Sequence, residues 1–310
     1  MGLIGIAQDG DGIALVRVRR PVGQALPRVE ECEYLALSQG RDPAQEIGKW
    51  VARRGLKGAS CVTVLEPGSY QLLQVELPNV KPEEMREAVR WRIKDLVDFP
   101  VEEAAVDLFD LPERSTYRRT AYVVAAAGSS IEPRVSMLRE AGLEIRAIDI
   151  TELALRNLAH RMPENELGVA LLWVGRDASQ IGIFRHSKLY LARNINTGWA
   201  QLVAAQGVSD GALALAPDEQ LLDSMVLEMQ RSLDYYESHF GQNPVSNLVV
   251  LPTVEPVPAL IAHLEQNMAV GIRLFDHESL FDWPEPPDPE VLARCIVALG
   301  GALREEREPS

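Results

Sequence analysis

The order of secondary-structure elements expected from the pattern repeats along this chain of 310 residues. Residues 1–66 begin with two strands joined by an Asp-Gly-Asp-Gly turn, which is typical of a hairpin, and continue with a strand, a helix and a strand. After a linker at 162–165, residues 168–268 give three strands, a helix, a strand and a helix in the same order. An internal repeat of this kind predicts two similar α/β halves.

Residues 68–148 separate the two repeats and have a pattern of their own. Alternating apolar residues from Leu73 to Leu77 indicate a strand, and the apolar spacing from Met85 to Leu96 indicates a helix with one buried stripe. The order expected over the whole segment, strand-helix-strand-strand-helix-strand, is that of a small ferredoxin-like module. Because the segment contains no candidate nucleophile or metal cluster, we expect it to have a structural or docking role.

Several short motifs in this module resemble one protein family. They are a strand that ends in Leu-Pro at 77–78, the helix pattern E-E-M-x-x-A-x-x-W over 83–91, F-P-V-E-E over 99–103 and a following V-D strand. Together they resemble the PilM family of actin-like cytoplasmic proteins, which act in type IV pilus assembly. The segment R-W-R-I-K-D-L-V-D-F-P over 90–100 is most similar to the MshI branch, from mannose-sensitive pilus systems.

The resemblance implies an α/β, actin-like fold. It would consist of two duplicated RNase-H-like halves, with a ferredoxin-like module of the 1C type inserted in the first. We therefore expect residues 1–67 and 149–162 to form the first half and residues 68–148 to form the module. Residues 163–287 would form the second half, and residues 288–310 a C-terminal helix.

Composition restricts the kinds of partner. The formal net charge of −14 argues against nucleic acid, whose phosphates require a basic surface, and against docking on anionic lipid. It suits a basic partner, such as the Lys/Arg-rich cytoplasmic tail of an inner-membrane protein. Three dispersed cysteines indicate a reducing compartment with buried thiols. Neither they nor the five dispersed histidines have the spacing of metal ligands. With no signal peptide and no bilayer-spanning apolar run, we expect a cytoplasmic protein without direct membrane insertion.

The positions that bind nucleotide in actin-like ATPases are altered here. Such enzymes hold phosphate between two hairpins with an Asp-x-Gly in each first turn, and a later Gly-Gly lets the backbone approach adenosine. In this chain Ala7 occupies the first acidic position, Trp173 precedes the glycine of the second hairpin, and Pro252-Thr253 replaces Gly-Gly. The degenerate positions are Ala7, Gln8, Asp9, Gly10, Trp173, Gly175, Pro252 and Thr253. We therefore predict a pseudo-ATPase with no catalytic residues, cofactor or metal.

The resemblance also implies a partner. In the family, the N-terminal cytoplasmic tail of a PilN-like inner-membrane protein lies in a groove between the first half and the module. Trp91, Arg90 and Arg92 on the module helix are candidate partner-binding residues. For Trp91 the alternative is a buried, structural role, and that is the role we predict. An assembly ATPase and a second copy of this chain are further candidate partners.

Two other functions remain open from the sequence. An ATP-driven actin-like switch, ATPase or kinase would use the same fold, and it would require nucleotide binding despite the altered positions. The cytoplasmic part of a type II secretion L-type protein is the second alternative. We expect such a chain to continue into a membrane span, whereas this sequence ends at Ser310.

Overall fold

The structure is a computed structural model that describes residues 2–20, 23, 25–37, 41–112, 119–205 and 219–305. The strands in this part of the chain are β1 (Leu3–Gln8), β2 (Gly12–Arg19), β3 (Arg28–Ala36), β4 (Ser60–Leu65), β5 (Gln71–Glu76), β6 (Ala104–Asp110), β7 (Thr120–Ala127), β8 (Glu144–Ile150), β9 (Val169–Val174), β10 (Ser179–Arg185), β11 (Lys188–Ile195), β12 (Asn247–Val250) and β13 (Gly271–Leu274). The helices are α1 (Pro43–Arg53), α2 (Met85–Arg92), α3 (Gly128–Glu140), α4 (Thr151–Ala159), α5 (Trp199–Ala205), α6 (Glu219–Phe240), α7 (Pro258–Asn267), α8 (His277–Leu280) and α9 (Pro289–Ala302).

The first half is built on a five-stranded sheet in the order β3-β2-β1-β4-β8. Alternate residues of β2 face opposite sides, so that Ile13 and Leu15 pack with α1 and α3, whereas Ala14 and Val16 face the cluster that contains α9. Helix α1 begins where its sequence predicts. The Asp42 carboxylate accepts a hydrogen bond of 2.9 Å from the Ala44 backbone N–H, and a proline occupies the first turn.

The second half repeats this topology. Its sheet has the order β11-β10-β9-β12-β13. In both halves, therefore, the strands lie side by side in the order third, second, first, fourth and fifth, counted along the chain. The strands β9, β10 and β11 are antiparallel neighbours, whereas β12 joins β9 and β13 in parallel. The duplication expected from the sequence is therefore present. The sequence pattern missed β13, because only four residues form this edge strand and all of them are exposed or half-buried.

Two helices connect the halves. Helix α4 leaves the first sheet and packs on β9, β10 and β11 of the second, whereas α9 returns from the second half and packs across β1 to β4. The two helices cross closely, and the Asn157 side-chain amide donates a hydrogen bond of 2.9 Å to the Gly300 carbonyl. The sequence predicts residues 288–310 as a C-terminal helix outside the two halves. Its described part, through residue 305, instead completes the core of the first half.

The inserted module contains a three-stranded antiparallel sheet in the order β5-β7-β6. Val123 and Ala125 of β7 face a small core that includes Val89 and Ile93 from the region of α2, and the alternate residues Tyr122 and Val124 face the two halves. Helix α2 ends at Arg92, earlier than the apolar spacing predicted. Leu96, expected in the buried stripe, is 55% exposed.

The predicted extent of the module, 68–148, requires a correction. Strand β8 pairs in parallel with β4 and is the fifth strand of the first half. Among the described residues, the module sheet therefore has three strands, where a ferredoxin-like sheet has four. Helix α3 likewise packs on the first half, where Leu138 and Met137 contact the cluster around Trp50. The local pattern correctly indicated a helix and a strand at 128–150. The sheet that this strand joins is decided by long-range pairing.

Candidate functional site

The two halves enclose a cleft of about 460 Å³, which we call the interhalf cleft. Its walls are the chain segments that follow the carboxyl ends of four strands, β1, β4, β9 and β12. Within each half, β1 is parallel to β4 and β9 is parallel to β12, so these ends meet at one edge of each sheet. Open α/β sheets bind ligands at this edge. The cleft therefore occupies the place where a duplicated fold of this kind would hold a nucleotide.

The predicted degenerate positions lie together in this cleft. Ala7, Gln8, Asp9, Gly10, Trp173, Gly175 and Pro252 line it. Thr253 is half-buried and is not part of the lining. Asp11, Glu66, Arg176 and Arg294 also line the cleft and are not among the positions predicted from the sequence. For Asp11 and Arg176 a signal was available, because they occupy corresponding hairpin turns in the two repeats.

The Asp9 carboxylate accepts hydrogen bonds from within the first sheet and its hairpin turn. Its Oδ1 accepts hydrogen bonds from the backbone N–H groups of Asp11 at 2.9 Å and Gly12 at 2.7 Å, and from the Tyr34 hydroxyl at 2.6 Å. Burial, followed by the hydrogen bond to Asp9, raises the pKa of Tyr34, so this hydroxyl remains a donor at neutral pH. Asp9 therefore closes a turn and is directed toward three protein donors.

In the second hairpin, between β9 and β10, an aromatic ring packs against the turn. The Trp173 indole packs over Gly175, where an added Cβ would lie 2.7 Å from the ring atom Cη2. The turn carbonyls are also engaged, because the Gly175 oxygen accepts from the Trp199 N–H at 2.8 Å and the Arg176 oxygen accepts from the Ala200 N–H at 3.0 Å. These two hydrogen bonds join the first residues of α5 to the turn. The Trp173 indole packs beside the same turn, against Gly175.

An ion pair joins the two hairpin turns across the cleft. The Arg176 Nη1 lies 3.0 and 3.1 Å from the two carboxylate oxygens of Asp11. Arg176 lies between β9 and β10, and Asp11 lies between β1 and β2. The contact therefore crosses between the halves at the tips of the two hairpins, where the phosphate-binding turns of an actin-like ATPase would face each other.

A second cavity, of about 780 Å³, separates the module from the second half, and we call it the module groove. One wall is the edge strand β5, from Gln71 to Gln74, and the other is the edge strand β11, from Leu191 to Asn194. The first half contributes Glu152 and Pro67 to the lining, and Gly68 lines it at the start of the module. All three bodies of the fold therefore meet at this groove.

Glu152 connects these three bodies by hydrogen bonds. It is 3% exposed, and its carboxylate accepts from the Tyr70 hydroxyl at 2.5 Å and from the Gln180 amide at 2.8 Å. The same Gln180 Nε2 donates to Asn194 Oδ1 at 2.9 Å, which links β10 to β11. Burial raises the pKa of Glu152 above its ordinary value, and the Tyr70 hydrogen bond offsets part of that effect.

The candidate partner-binding residues on the module helix lie elsewhere. Trp91 is 56% exposed, its indole N–H donates to Glu87 at 3.0 Å, and Lys94 lies 5.1 Å from the ring centroid. The prediction of a buried, structural Trp91 is therefore wrong, because it projects from the solvent side of α2. Arg90 has the structural role instead, since it donates to the carbonyls of Val101 and Ala104.

Arg92 is exposed at the end of α2. None of the three candidates, Arg90, Trp91 and Arg92, is part of the lining of the module groove. Among the described residues, no group of three or more His, Cys, Asp or Glu side chains is placed to hold a metal ion. None of the described helices is long and apolar enough to cross a membrane.

These features define an actin-like protein with a cleft between its two halves and an added module. Solved structures agree with the fold. The chain is similar to a chain of a structure titled "PilM-PilN type IV pilus biogenesis complex", with 21% identity, a TM-score of 0.72 and coverage of 97% of both chains. The actin-like fold predicted from the sequence is thereby confirmed.

A family model described as "Type IV pilus assembly protein PilM" matches residues 60–206, which is just under half of the chain. The chain is thus PilM-like, and the resemblance to the PilM family stated from its sequence motifs is confirmed. The likeness to the MshI branch stays a prediction. No curated protein matches its sequence.

Two further solved structures cover most of the chain with less similarity. One is a Bacteroides thetaiotaomicron protein described as having an actin-like ATPase fold and unknown function, with 10% identity, a TM-score of 0.49 and coverage of 91% of this chain and 92% of that one. The other is the cytoplasmic domain of EpsL, an inner-membrane component of the type II secretion system of Vibrio cholerae, with 15% identity, a TM-score of 0.47 and coverage of 96% and 94%. At these TM-scores neither likeness carries an argument about function.

Proposed function

We propose that this chain is a non-catalytic scaffold of a type IV pilus assembly platform of the mannose-sensitive kind. It binds the N-terminal cytoplasmic tail of a PilN-like inner-membrane protein and is held at the inner membrane through that partner. The observation that carries the proposal is the position of the PilM family match. Residues 60–206 include β5, β11 and Glu152, and therefore both walls and the floor of the module groove.

The module groove has properties that suit a peptide tail. Its walls are the edges of two sheets, and an extended peptide binds such an edge through its backbone N–H and C=O groups. The sequence implied docking between the first half and the module. The groove differs from that expectation in one respect, because the second half supplies one of its walls through β11.

Charge supports a basic partner. Residues 163–287 contain 16 Asp and Glu against 6 Lys and Arg, so this segment accounts for −10 of the formal net charge of −14. A negative field of this kind accelerates encounter with a Lys/Arg-rich tail and is weakened by salt. Because burial in the groove would supply most of the affinity, salt should slow association more than it weakens the complex.

The proposal is tested by titrating the full chain with a synthetic peptide that carries the N-terminal cytoplasmic segment of the PilN-like protein from the same organism. We expect saturable binding, observed by fluorescence anisotropy, that is lost when β5 carries Leu73→Pro, since proline removes a backbone donor and blocks strand pairing. Val80→Pro, in the loop after β5, is the matched control. Failure of the wild-type chain to bind the tail peptide would refute the proposed function.

We also propose that the protein does not hydrolyse ATP. The Asp11–Arg176 ion pair and the Trp173 ring over Gly175 support this proposal, because they occupy the region between the hairpins that phosphate would need. The alternative is an ATP-driven actin-like switch. The observation that favours this alternative is the interhalf cleft, which has a volume of about 460 Å³. Calorimetric titration with ATP and Mg²⁺ separates the two functions. A dissociation constant in the low micromolar range would support the switch and contradict the scaffold without nucleotide.

A further inference from the structure

The carboxylate of Glu152 is buried without a cation. Its hydrogen-bond donors, Tyr70 and Gln180, are both neutral, and no Lys or Arg among the described residues forms an ion pair with it. The nearby Asp149 carboxylate, by contrast, is paired with Arg304 at 2.8 Å. Buried carboxylates in proteins are usually paired, because removing a charge from water is costly unless an opposite charge replaces the solvent. Glu152 is therefore an exception that requires an explanation.

The amide that contacts Glu152 carries an unpartnered acceptor. The Gln180 amide group has a determined orientation, because both of its partners, Glu152 and Asn194, are acceptors and must receive its Nε2 hydrogens. This orientation leaves the Gln180 Oε1 buried with no partner. On the opposite wall, the Gln71 Oε1 is also buried and unpartnered, although the Gln71 Nε2 donates to Asp98. Glu152 and Gln71 are residues of the groove lining, and the unpartnered Gln180 oxygen belongs to the amide that contacts Glu152.

The arginine that lines the groove does not pair with Glu152. Arg193 lines the module groove, but it is 3.7 Å from Glu228 of α6 and forms its ion pair there. The groove is also large enough for a side chain from outside, since its volume is about 780 Å³. A charged donor that enters the groove from outside would supply the opposite charge that the Glu152 carboxylate lacks.

We propose that the floor of the module groove is a receptor for one cationic side chain, a lysine or an arginine, of the docked partner tail, with Glu152 as its counter-ion. This inference rests on the proposed function, because the tail is the ligand that brings the cation. Tyr70 and Gln180 hold the carboxylate in place and supply no positive charge. Glu152 thereby selects basic tails, since a neutral tail would leave the buried carboxylate without a charged partner.

The test uses the full chain and the same tail peptide. Glu152→Gln removes the charge but keeps the size and the ability to accept from Tyr70, so the fold should be retained. Its matched control is Asp234→Asn, which removes an equal charge from the exposed surface of α6 beside the groove residue Tyr235. We expect Glu152→Gln to weaken binding about tenfold or more. Asp234→Asn should change the affinity by less than about twofold.

The peptide provides the second arm of the experiment. Each Lys or Arg of the tail is replaced in turn by norleucine, which keeps the apolar stem. One replacement should weaken binding to the wild-type chain as much as Glu152→Gln does, and should cause no further loss when combined with Glu152→Gln. If the wild-type chain binds the peptide but neither Glu152→Gln nor any single replacement weakens it, the inference is wrong while the proposed scaffold function stands.

Two further outcomes are decisive. Should Glu152→Gln fail to fold, the peptide replacements on the wild-type chain decide alone, and the absence of any sensitive cation overturns the inference. If the wild-type chain does not bind the tail peptide at all, the proposed function fails, and the inference that rests on it fails too.

Discussion

Arg176 and Asp11 are separated by 165 positions in the chain, yet the Arg176 Nη1 lies 3.0 and 3.1 Å from the two Asp11 carboxylate oxygens. The two residues occupy the same turn in the two duplicated halves. Their contact places a positive and a negative side chain face to face at the tips of the hairpins. In a phosphate-binding cleft these tips would have to remain apart to admit the ligand, so the pair acts as a bridge between the halves.

Loss of this bridge should loosen the cleft more than it destabilises the fold. Arg176 and Asp11 are 57% and 49% exposed, and exposed ion pairs contribute little. We expect Arg176→Gln to lower the free energy of unfolding by less than about 1 kcal/mol. Amide hydrogen exchange in the turns at 9–12 and 175–178 should nevertheless become faster.

The control for this prediction is Arg231→Gln, which breaks an exposed ion pair to Glu228 within α6 and does not touch the cleft. It should leave exchange in both turns unchanged. Equal exchange rates in the Arg176→Gln protein and the wild type would show that the ion pair does not hold the hairpins together.

Two tryptophans should respond very differently to truncation. Trp50 is fully buried between α1 and the first sheet, whereas Trp91 is 56% exposed on α2. We expect Trp50→Ala to cost about 3–5 kcal/mol, through lost burial and the cavity left behind. Trp91→Ala should cost less than about 1 kcal/mol. Urea denaturation measures both values, and a Trp91→Ala loss as large as that of Trp50→Ala would contradict its solvent-exposed position.

The crossing of α4 and α9 depends on a glycine. A Cβ added at Gly300 would lie 2.7 Å from the Ala154 carbonyl carbon, in the backbone of the neighbouring helix. Because backbone cannot move aside cheaply, we expect Gly300→Ala to destabilise the protein by about 1–3 kcal/mol. At Gly10 an added Cβ meets nothing within 4 Å. Gly10→Ala should therefore change the unfolding free energy by less than about 0.5 kcal/mol. Equal melting temperatures for the two variants would be inconsistent with this close crossing.

Glu152 should make stability depend on pH. Its folded-state pKa lies above the ordinary value of 4.5 because of burial, so the folded protein holds this proton more tightly than the unfolded chain does. The stabilisation that this proton provides is complete below 4.5 and is lost as the pH rises through the raised pKa. Glu152→Gln should therefore be more stable than the wild type at about pH 8.

The advantage of Glu152→Gln should shrink as the pH falls toward 4.5, where the wild-type carboxyl is protonated as well. Melting temperatures of the two proteins across this range test the prediction. A constant difference at every pH would mean that the Glu152 pKa is not raised in the folded state. If the prediction holds, the wild-type chain keeps a carboxylate that costs stability, as expected of a residue retained for binding.

Local chemistry in the sequence was sufficient to determine most elements and the duplication. The Asp-Gly-Asp-Gly turn produced the first hairpin, and the apolar period of α6 produced a long helix, because turn preference and helical spacing depend on neighbouring residues. The motif positions around Ala7 and Trp173 were also enough to locate the cleft, since each follows a strand whose end is visible in the pattern.

The tertiary structure alone decided which distant elements meet. Strand β8 has the pattern of any half-buried strand, and only its pairing with β4 assigns it to the first half. The Asp11–Arg176 bridge and the contact of Glu152 with Gln180 join residues that no local period relates. The burial of Glu152 depends on three bodies closing around one side chain. A carboxylate on the first turn of a helix looks exposed in sequence, and it becomes a buried charge only when the module and the second half remove its water.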